Sequence, residues 1–364
     1  MLTLNAPPIR KPIPPAARVT IADVAHAAGV SKATVSRFLN RRDELLTPDI
    51  AARVQTAIAT LRYTPSPMAQ ALKRGRSRLI GLVVADITNP YSVAVLRGAE
   101  RACQDAGYLV MLFNLGNDKG REREAIEALL SYHVEGFILN RVGDDSGAVA
   151  EAVRCGKPVV MVDRRHDDLR CDFVSLDNAA AIQLGAQHLV ESGYGELLFV
   201  SEPVHGVSSR LERQQAFCAF MREQRPGIVC DTCESTEADP QALELALRAL
   251  RRRAAGRPFA VLSGNAVITL RLVAAAARLG WRLGAEIGLV GFDDTDWAPF
   301  VGPGLTTIAQ PTDDLGRLAA ECVLGRLQGA DHAPHDILLP GRLVARGSSQ
   351  PGGLNADHIT PRQG

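Results

Sequence analysis

The stretch "VTIADVAHAAGVSKATVSRFLN", residues 19 to 40, decides the front of the fold. Thr20 can cap a helix together with Asp23 three residues on, a variant of the capping box. Ile21, Val24, Ala25 and Ala28 then fall at i, i+3, i+4 and i+7, one helical face. Gly29 ends that helix, Val30 bridges the turn and Ser31 can cap a second helix whose buried side is Val35, Phe38 and Leu39. Two short helices around a glycine-containing turn make a helix-turn-helix. The second helix also carries Lys32, Thr34, Ser36, Arg37 and Asn40, an unusual density of hydrogen-bonding side chains for so short an element.

The pattern continues outward in both directions. Thr47 caps a third helix, Pro48 suits its first position, and Ile50, Val54, Ala57, Ile58 and Leu61 face inward. Residues 65–78, "PSPMAQALKRGRSR", read as a basic linker whose middle can form one short helix, too short to be stable without a partner. Residues 1–18 hold five prolines and no apolar periodicity, and read as a disordered leader. Residues 1–78 carry 13 Lys or Arg against 4 Asp or Glu, a balance of +9, leaving 28 against 36, or −8, for the rest. The front of the chain is therefore suited to a polyanion.

The 364-residue length implies two or three folding units. No apolar run reaches the roughly 18 residues of a membrane helix, and the N-terminus lacks the apolar core of a signal peptide. The cytoplasm is the expected location and no membrane partner is expected. The seven cysteines are scattered and odd in number, which suits reduced thiols. Cys230 and Cys233 form a lone C-x-x-C, read either as a loop beside a strand or as a metal or redox pair, but no second ligand pair accompanies it. No metal site and no cofactor is expected.

From Leu79 onward short apolar runs alternate with amphipathic helices. The runs are "LIGLVVAD", "YLVMLFN", "GFILN", "PVVMVD", "ELLFVSE", "FAVLSGN" and "IGLVGFDD"; helical patterns at 91–106, 119–132, 178–192, 209–223, 240–253 and 266–279 separate them. Continuous apolar strands joined by helices imply parallel sheets covered on both faces, here two α/β units with a cleft. Ligands of such sheets bind beyond the carboxyl ends of the strands. Asp86, Asn114, Asn140, Asp163, Ser201, Asn265 and Asp293 stand at those ends, either as helix caps or as a polar pocket. Arg210, in "SSRLER", is a possible clamp for a carboxylate or hydroxyl.

These residues together resemble a known family. "VTIADVAHAAGVSKATVSRFLN", "LRYTPSPMAQALKRGRSRLIGLVVADITNPY", "GFDD" and "LTTIAQP" look like the lactose-repressor (LacI) family of bacterial transcription regulators, over about residues 19–346. Within it, "SEPVHGVSSRLERQQAF" and "DDTDWAPFVGPG" look most like repressors of 2-ketogluconate utilisation. The resemblance implies a three-helix helix-turn-helix head (19–64), a hinge helix and linker (65–78) and a two-subdomain, periplasmic-binding-protein-like effector core (79–346). The N-subdomain would take about 79–175 and 310–335, the C-subdomain about 176–309 and 336–346, with 347–364 a disordered tail. It also implies a DNA-binding role: the second helix would enter the major groove, as helix-turn-helix proteins place it. Lys32, Ala33 and Arg37 fall where the family reads base edges, while Thr20, Ser31, Thr34, Ser36 and Asn40 fall where it holds phosphate or frames the site. Lys32 and Arg37 suit guanine, and Ala33 offers only a methyl contact.

The hinge over Ser66–Arg74 would fold when two copies meet in the minor groove, with Leu72 wedged into the central base step, Ala69 beside it and Lys73 on the DNA. Ser66 and Pro67 depart from the family pattern, and the loop after Asn40 is one residue longer than usual, with Ile50 and Ala51 where a Thr-Arg pair often stands. In the cleft, the resemblance assigns effector binding to Asp163, Arg210, Asn265 and Asp293, with Gln310 on a crossover, Tyr91 after the first strand, and Asn114 at a strand end. Trp297 and Phe300 stack on a sugar face or belong to the core. Ala266 replaces an aspartate common in the family. Arg164 and Arg165 either add positive charge to the pocket or point to solvent. Losing an acid and adding bases favours an anionic ligand, a sugar acid such as 2-ketogluconate.

The expected protein is thus no enzyme but a homodimeric repressor that a sugar acid releases from a palindromic double-stranded operator. A neutral-sugar inducer or a purine corepressor is the alternative inside the family. A sugar-binding receptor without a transcriptional role is the alternative outside it, although a receptor would need an export signal and no basic head. No G-x-S-x-G, Walker loop or paired metal ligands point to catalysis. His26 and His188 read as surface or packing residues. The tail lacks leucine heptads, so the coiled coil that makes some family members tetrameric is missing and a dimer is expected.

Overall fold

The computed structural model describes residues 19–40, 46–65, 76–141, 147–166, 168–224 and 231–351. The chain divides into two compact units, Met1–Ser77 and Arg78–Gly364. The expected leader, the hinge residues Ala69, Leu72 and Lys73, and the tail from residue 352 lie outside the described residues.

The first unit holds α1 (Ile21–Ala28), α2 (Lys32–Leu39) and α3 (Pro48–Leu61). The capping box is present in both directions: the Thr20 N–H donates to Asp23 Oδ2 at 2.8 Å, and the Asp23 N–H to Thr20 Oγ1 at 3.4 Å. Gly29 closes α1 at φ 63°, a left-handed conformation in which glycine has no Cβ to clash. Ser31 and Thr47 cap the next two helices through the N–H groups of Thr34 and Ile50. Val24, Ala25, Ala28, Val35, Val54 and Ala57 form one buried cluster, flanked by Ile21, Phe38, Leu39, Ile50, Ile58 and Leu61. The periodicity of the sequence thus selects the small core it predicted.

The second unit contains two six-stranded sheets. Its elements in order are β1 (Leu79–Val84), α4 (Pro90–Asp105), β2 (Leu109–Asn114), α5 (Arg121–Ser131), β3 (Gly136–Leu139), α6 (Gly147–Arg154), β4 (Val159–Val162), β5 (Asp172–Leu176), α7 (Asn178–Glu191), β6 (Glu196–Ser201) and α8 (Ser208–Gln224). They continue with β7 (Thr232–Glu234), α9 (Pro240–Ala254), β8 (Phe259–Ser263), α10 (Ala266–Arg278), β9 (Gly288–Phe292), β10 (Thr306–Ala309), α11 (Thr312–Leu327), β11 (Asp336–Leu339) and β12 (Arg342–Val344). The first sheet runs β11-β5-β4-β3-β1-β2 and the second β12-β10-β9-β8-β6-β7. All neighbours pair in parallel except β10 with β12. Central strands such as β3, β4, β8 and β9 are buried at every position, while the edge strands β2, β7, β11 and β12 are only partly covered. This explains why central strands read as unbroken apolar runs.

The chain crosses between the sheets three times: after β5, after β10 and after β11. Two expected boundaries are corrected here. Residues 336–339 pair with β5 in the first sheet, Asp336 opposite Phe173 through Leu339 opposite Leu176, so the last crossing follows Leu339 rather than residue 335. The segment 347–349 is no tail. Gly347, Ser348 and Ser349 form a buried 3-10 turn, and the Ser348 hydroxyl donates to Leu289 O at 2.6 Å while accepting from the Thr306 N–H at 2.8 Å. His188 on α7 joins the same knot through Ser349 Oγ at 2.7 Å, and burial pushes its imidazole below the ordinary range. Of the two roles expected for it, surface or packing, it takes the second.

Inside the first lobe, α4 and α11 meet backbone to backbone. A Cβ on Gly98 would lie 2.0 Å from Asp313 O, and one on Gly316 would lie 2.0 Å from Val95 O. The two glycines let the helices approach. Asp172, at the start of β5, ties α11 to the next loop: Arg326 Nε and Nη2 each reach it at 2.9 Å and His335 Nδ1 lies at 3.0 Å. His332 adds a third donor atom within 4.8 Å, but the guanidinium already held on both carboxylate oxygens disfavours a cation there. Cys103, Cys155, Cys171, Cys233 and Cys322 are free thiols, whereas Cys218 is disulfide-bonded, against the expectation of reduced thiols throughout.

Candidate functional site

In the head, α2 turns Lys32, Ala33 and Arg37 outward as exposed side chains, while Val35 is buried. The flanking polar residues partly satisfy one another. Ser31 Oγ and Thr34 Oγ1 lie 2.9 Å apart, Thr20 Oγ1 donates to Asp23 Oδ2 at 2.8 Å, and Asn40 Nδ2 donates to Ser36 O at 2.6 Å. These bonds fix the helix ends and leave the outward groups as the ones presented to a ligand. A short helix with two long cationic donors and a methyl group on its free face has the chemistry that reads base edges in a major groove.

The second site lies where the carboxyl ends of the two sheets face each other. Asp163 follows β4 and Asp293 follows β9, the third strand in each sheet order. Both residues adopt left-handed backbone, φ 66° and 68°, and each N–H donates to the neighbouring strand, Asp163 to Val174 O at 3.1 Å and Asp293 to Ile308 O at 2.9 Å. The two acids are equivalent positions of one repeated α/β plan. Strained backbone of this kind in a non-glycine residue is retained where the side chain must point somewhere particular.

Between them stands Arg213 of α8. Its Nε donates to Asn178 Oδ1 and its Nη1 to Gly264 O, both at 2.7 Å, its Nη2 lies 3.6 Å from Asp163 Oδ1, and its guanidinium sits 4.0 Å above the Phe292 ring. Asp163 also accepts from Ser209 Oγ at 3.2 Å and lies 3.7 Å from Arg164 Nε. This set joins one lobe to the other. Asp293 accepts from Gln310 Nε2 at 2.6 Å and from the Ala266 N–H at 3.0 Å. Burial pushes its carboxyl above the ordinary range, with the Arg213 charge the main opposing influence. Burial, reinforced by the Asp163 charge, drives the Tyr91 hydroxyl well above its usual value. Among the described residues, Tyr91 Oη and Gln310 Oε1 are buried without a hydrogen-bond partner.

Arg210, the clamp expected from the sequence, stands one turn before Arg213. Its Nη2 donates to Glu202 Oε2 at 2.5 Å and its Nη1 to Pro203 O at 3.0 Å. Asn265 caps α10 through the Ile268 N–H at 2.9 Å, and its Nδ2 donates to the same Glu202 oxygen at 2.6 Å. Arg164 points inward, donating to Arg141 O at 2.6 Å, whereas Arg165 pairs with Asp336 at 2.7 Å on the surface. The structure therefore brings together Tyr91, Asp163, Arg210, Asn265, Asp293 and Gln310.

Four residues singled out from the sequence, Asn114, Trp297, Phe300 and Asp86, stand apart from this cluster. Asn114 ends the edge strand β2, where its Oδ1 accepts from the Ile87 and Gly116 N–H groups at 3.0 and 3.3 Å and so ties the loop after β1 to the loop after β2. Trp297 packs against the core of the second lobe, and Phe300 is exposed. Asp86 likewise joins the loops after β1 and β2, accepting from the Thr88 N–H in its own loop and from Asn117 Nδ2 in the loop after β2, both at 2.9 Å. Arg213, Ser209, Asn178 and Glu202 were missed. The available signal was the spacing of Arg210 and Arg213 at i, i+3, which puts both on one side of α8. A cavity of about 360 Å³ near the amino ends of β8 and β9, lined by Tyr194, Arg251, Arg257 and Glu286 among others, lies at the opposite end of the second sheet from this cluster.

A basic helix-turn-helix unit followed by a two-lobed unit with a polar interlobe cleft defines a ligand-responsive DNA-binding regulator. The profile of bacterial regulatory proteins of the lacI family matches residues 20–66, and that of the periplasmic binding protein-like domain matches residues 186–349. The chain is 43% identical to the HTH-type transcriptional regulator PtxS of Pseudomonas aeruginosa, covering 94% of this chain and 98% of the relative. It is 39% identical to the HTH-type transcriptional regulator KdgR of Bacillus subtilis, over 90% and 97%. Among solved structures it is similar to the Lac repressor dimer bound to operator and the anti-inducer ONPF, with TM-score 0.76 and 27% identity over 91% of this chain and 99% of that one. The protein belongs to the lacI family of bacterial transcriptional regulators. No helix among the described residues is long and apolar enough to cross a membrane.

Proposed function

We propose that this protein is a cytoplasmic, homodimeric repressor that leaves a palindromic operator when a sugar acid, 2-ketogluconate in the first instance, binds in the interlobe cleft. The observation that carries the reading is the pair of buried, unpartnered oxygens Tyr91 Oη and Gln310 Oε1 beside Asp163 and Asp293. A buried polar atom left unpaired is costly, and hydroxyls of a polyol would satisfy it. Arg210, the most open arginine of the cleft, in the positive field of Arg164 and Arg213, supports a ligand that also carries a carboxylate. The sequence resemblance to repressors of 2-ketogluconate utilisation points the same way.

In this reading Lys32 and Arg37 address guanine edges, Ala33 a methyl group, and Thr20, Ser31, Thr34, Ser36 and Asn40 the phosphate frame. Ala69, Leu72 and Lys73 complete the DNA contact through paired hinges. Effector and operator then oppose each other by one coupling free energy, equal in both directions. The test is calorimetry against 2-ketogluconate, gluconate and a purine, followed by operator binding by fluorescence anisotropy with the ligand that binds. Binding of 2-ketogluconate with loss of operator affinity is expected. Binding of the purine alone, or operator affinity raised by the ligand, would overturn the assignment.

A further inference from the structure

Asn265 uses both ends of its amide. Its Oδ1 is fixed as the cap of α10, so its Nδ2 must find an acceptor on the cleft side, and it donates to Glu202 Oε2 at 2.6 Å. The same oxygen takes Arg210 Nη2 at 2.5 Å. Two donors from two helices thus converge on one carboxylate oxygen at the carboxyl end of β6. Glu202 is the first residue after that strand and begins the loop that leads to α8.

The other cations of the cleft are tied to the protein. Arg213 is enclosed by Asn178, Gly264 O and the Phe292 ring, with its side chain 5% exposed. Arg164 donates to Arg141 O and faces Asp163. The Arg210–Glu202 pair is the more open one, 16% and 18% exposed, so solvent and solutes reach it. Arg210 also feels the charges of Asp163, Arg164 and Arg213, which places it in the same electrostatic site.

We propose that Glu202 is an internal stand-in for the effector's carboxylate: it occupies the position between Arg210 and Asn265 that a sugar acid takes, and the ligand must displace it into solvent to bind. This rests on the reading of the cleft as a sugar-acid site. Two carboxylates cannot share one pair of donors without like-charge repulsion, so the exchange is one for one. A neutral sugar offers only hydroxyls, which are weaker partners for a guanidinium than the carboxylate already there. The pair therefore filters the cleft for acids, at the expense of affinity for them.

The experiment is calorimetry of the full-length protein, wild type, Glu202→Gln and Glu202→Ala, with 2-ketogluconate and with the neutral ketose fructose, each variant first checked by thermal unfolding and circular dichroism. Both variants should bind the acid about tenfold more tightly, the order set by one charge-assisted hydrogen bond, with no comparable gain for fructose. In Glu202→Gln/Arg210→Gln the gain should disappear. Unchanged or weaker acid binding in both single variants, while the wild type still binds the acid, overturns the stand-in role and leaves the sugar-acid reading intact. Failure of the wild type and both variants to bind any sugar acid removes that reading and the proposal together.

Discussion

Asp163 and Asp293 hold the same place in two different sheets, each in left-handed backbone after the third strand, and Arg213 acts on both. Their surroundings differ: Asp163 has Ser209, Arg164 and Arg213, whereas Asp293 relies on neutral donors and one arginine. Burial raises the Asp293 carboxyl, so the folded state binds more protons than the unfolded state between the ordinary value of 3.8 and the raised one. Its contribution to stability therefore falls as pH rises through that window. Asp293→Asn should gain in melting temperature relative to wild type as pH is raised from about 3 to 7. A difference that does not change with pH would contradict this.

Arg213 is the cation that the fold encloses. Arg213→Ala leaves Asp163 and Asp293 without it and strips Asn178 and Gly264 O of donors. Breaking a buried pair on one side costs about 3–5 kcal/mol, so urea denaturation should show a loss of that order in the second unit, together with loss of effector binding. Arg213→Lys should restore little, because one ammonium cannot reproduce the fork that meets Asn178 and Gly264 O.

Asp172 titrates with the opposite sign to Asp293. Burial alone would raise it, but the hydrogen bonds from Arg326 and the His335 N–H, with their charges, hold it below the ordinary carboxylate range. The stability it confers is present above 3.8 and is lost as pH falls through the lowered value. At neutral pH Asp172→Asn should cost about 2 kcal/mol, shrinking toward zero in acid. Equal destabilisation at pH 7 and in strong acid would show that Asp172 acts through packing.

At the DNA end, Lys32→Ala and Arg37→Ala should each weaken specific operator binding by about 1–3 kcal/mol if they reach base edges. Ser36→Ala should weaken specific and nonspecific binding alike. Fluorescence anisotropy at two salt concentrations separates these patterns, and uniform weakening by Arg37→Ala would reassign it to the phosphates.

Gly98→Ala should destabilise the first lobe by about 1–3 kcal/mol, since the added methyl meets Asp313 O where no side chain can yield. Thermal unfolding of the variant checks this; an unchanged melting temperature would mean that α4 and α11 slide apart freely.

Local rules alone made the head legible. Thr20, Gly29, Ser31, Thr47 and Pro48 cap and end helices through contacts within four residues, and the apolar spacing picks out the same core that forms. Central strands such as β4 and β9 were legible because both faces are buried. By contrast β5, β10, β11 and β12 are short, polar-interrupted or at edges, and the glycines Gly98 of α4 and Gly316 of α11 show their purpose only where the two helices meet. The sequence by itself placed Asp163, Arg210, Asn265 and Asp293 at the carboxyl ends of strands or at a helix start. Only the tertiary structure decided that Arg213 stands between the acids, that Asn114 ties the loop after β1 to the one after β2 and that Glu202 occupies Arg210. Those choices depend on which side chain reaches across a cleft between residues far apart in the chain, and neither periodicity nor spacing encodes that distance.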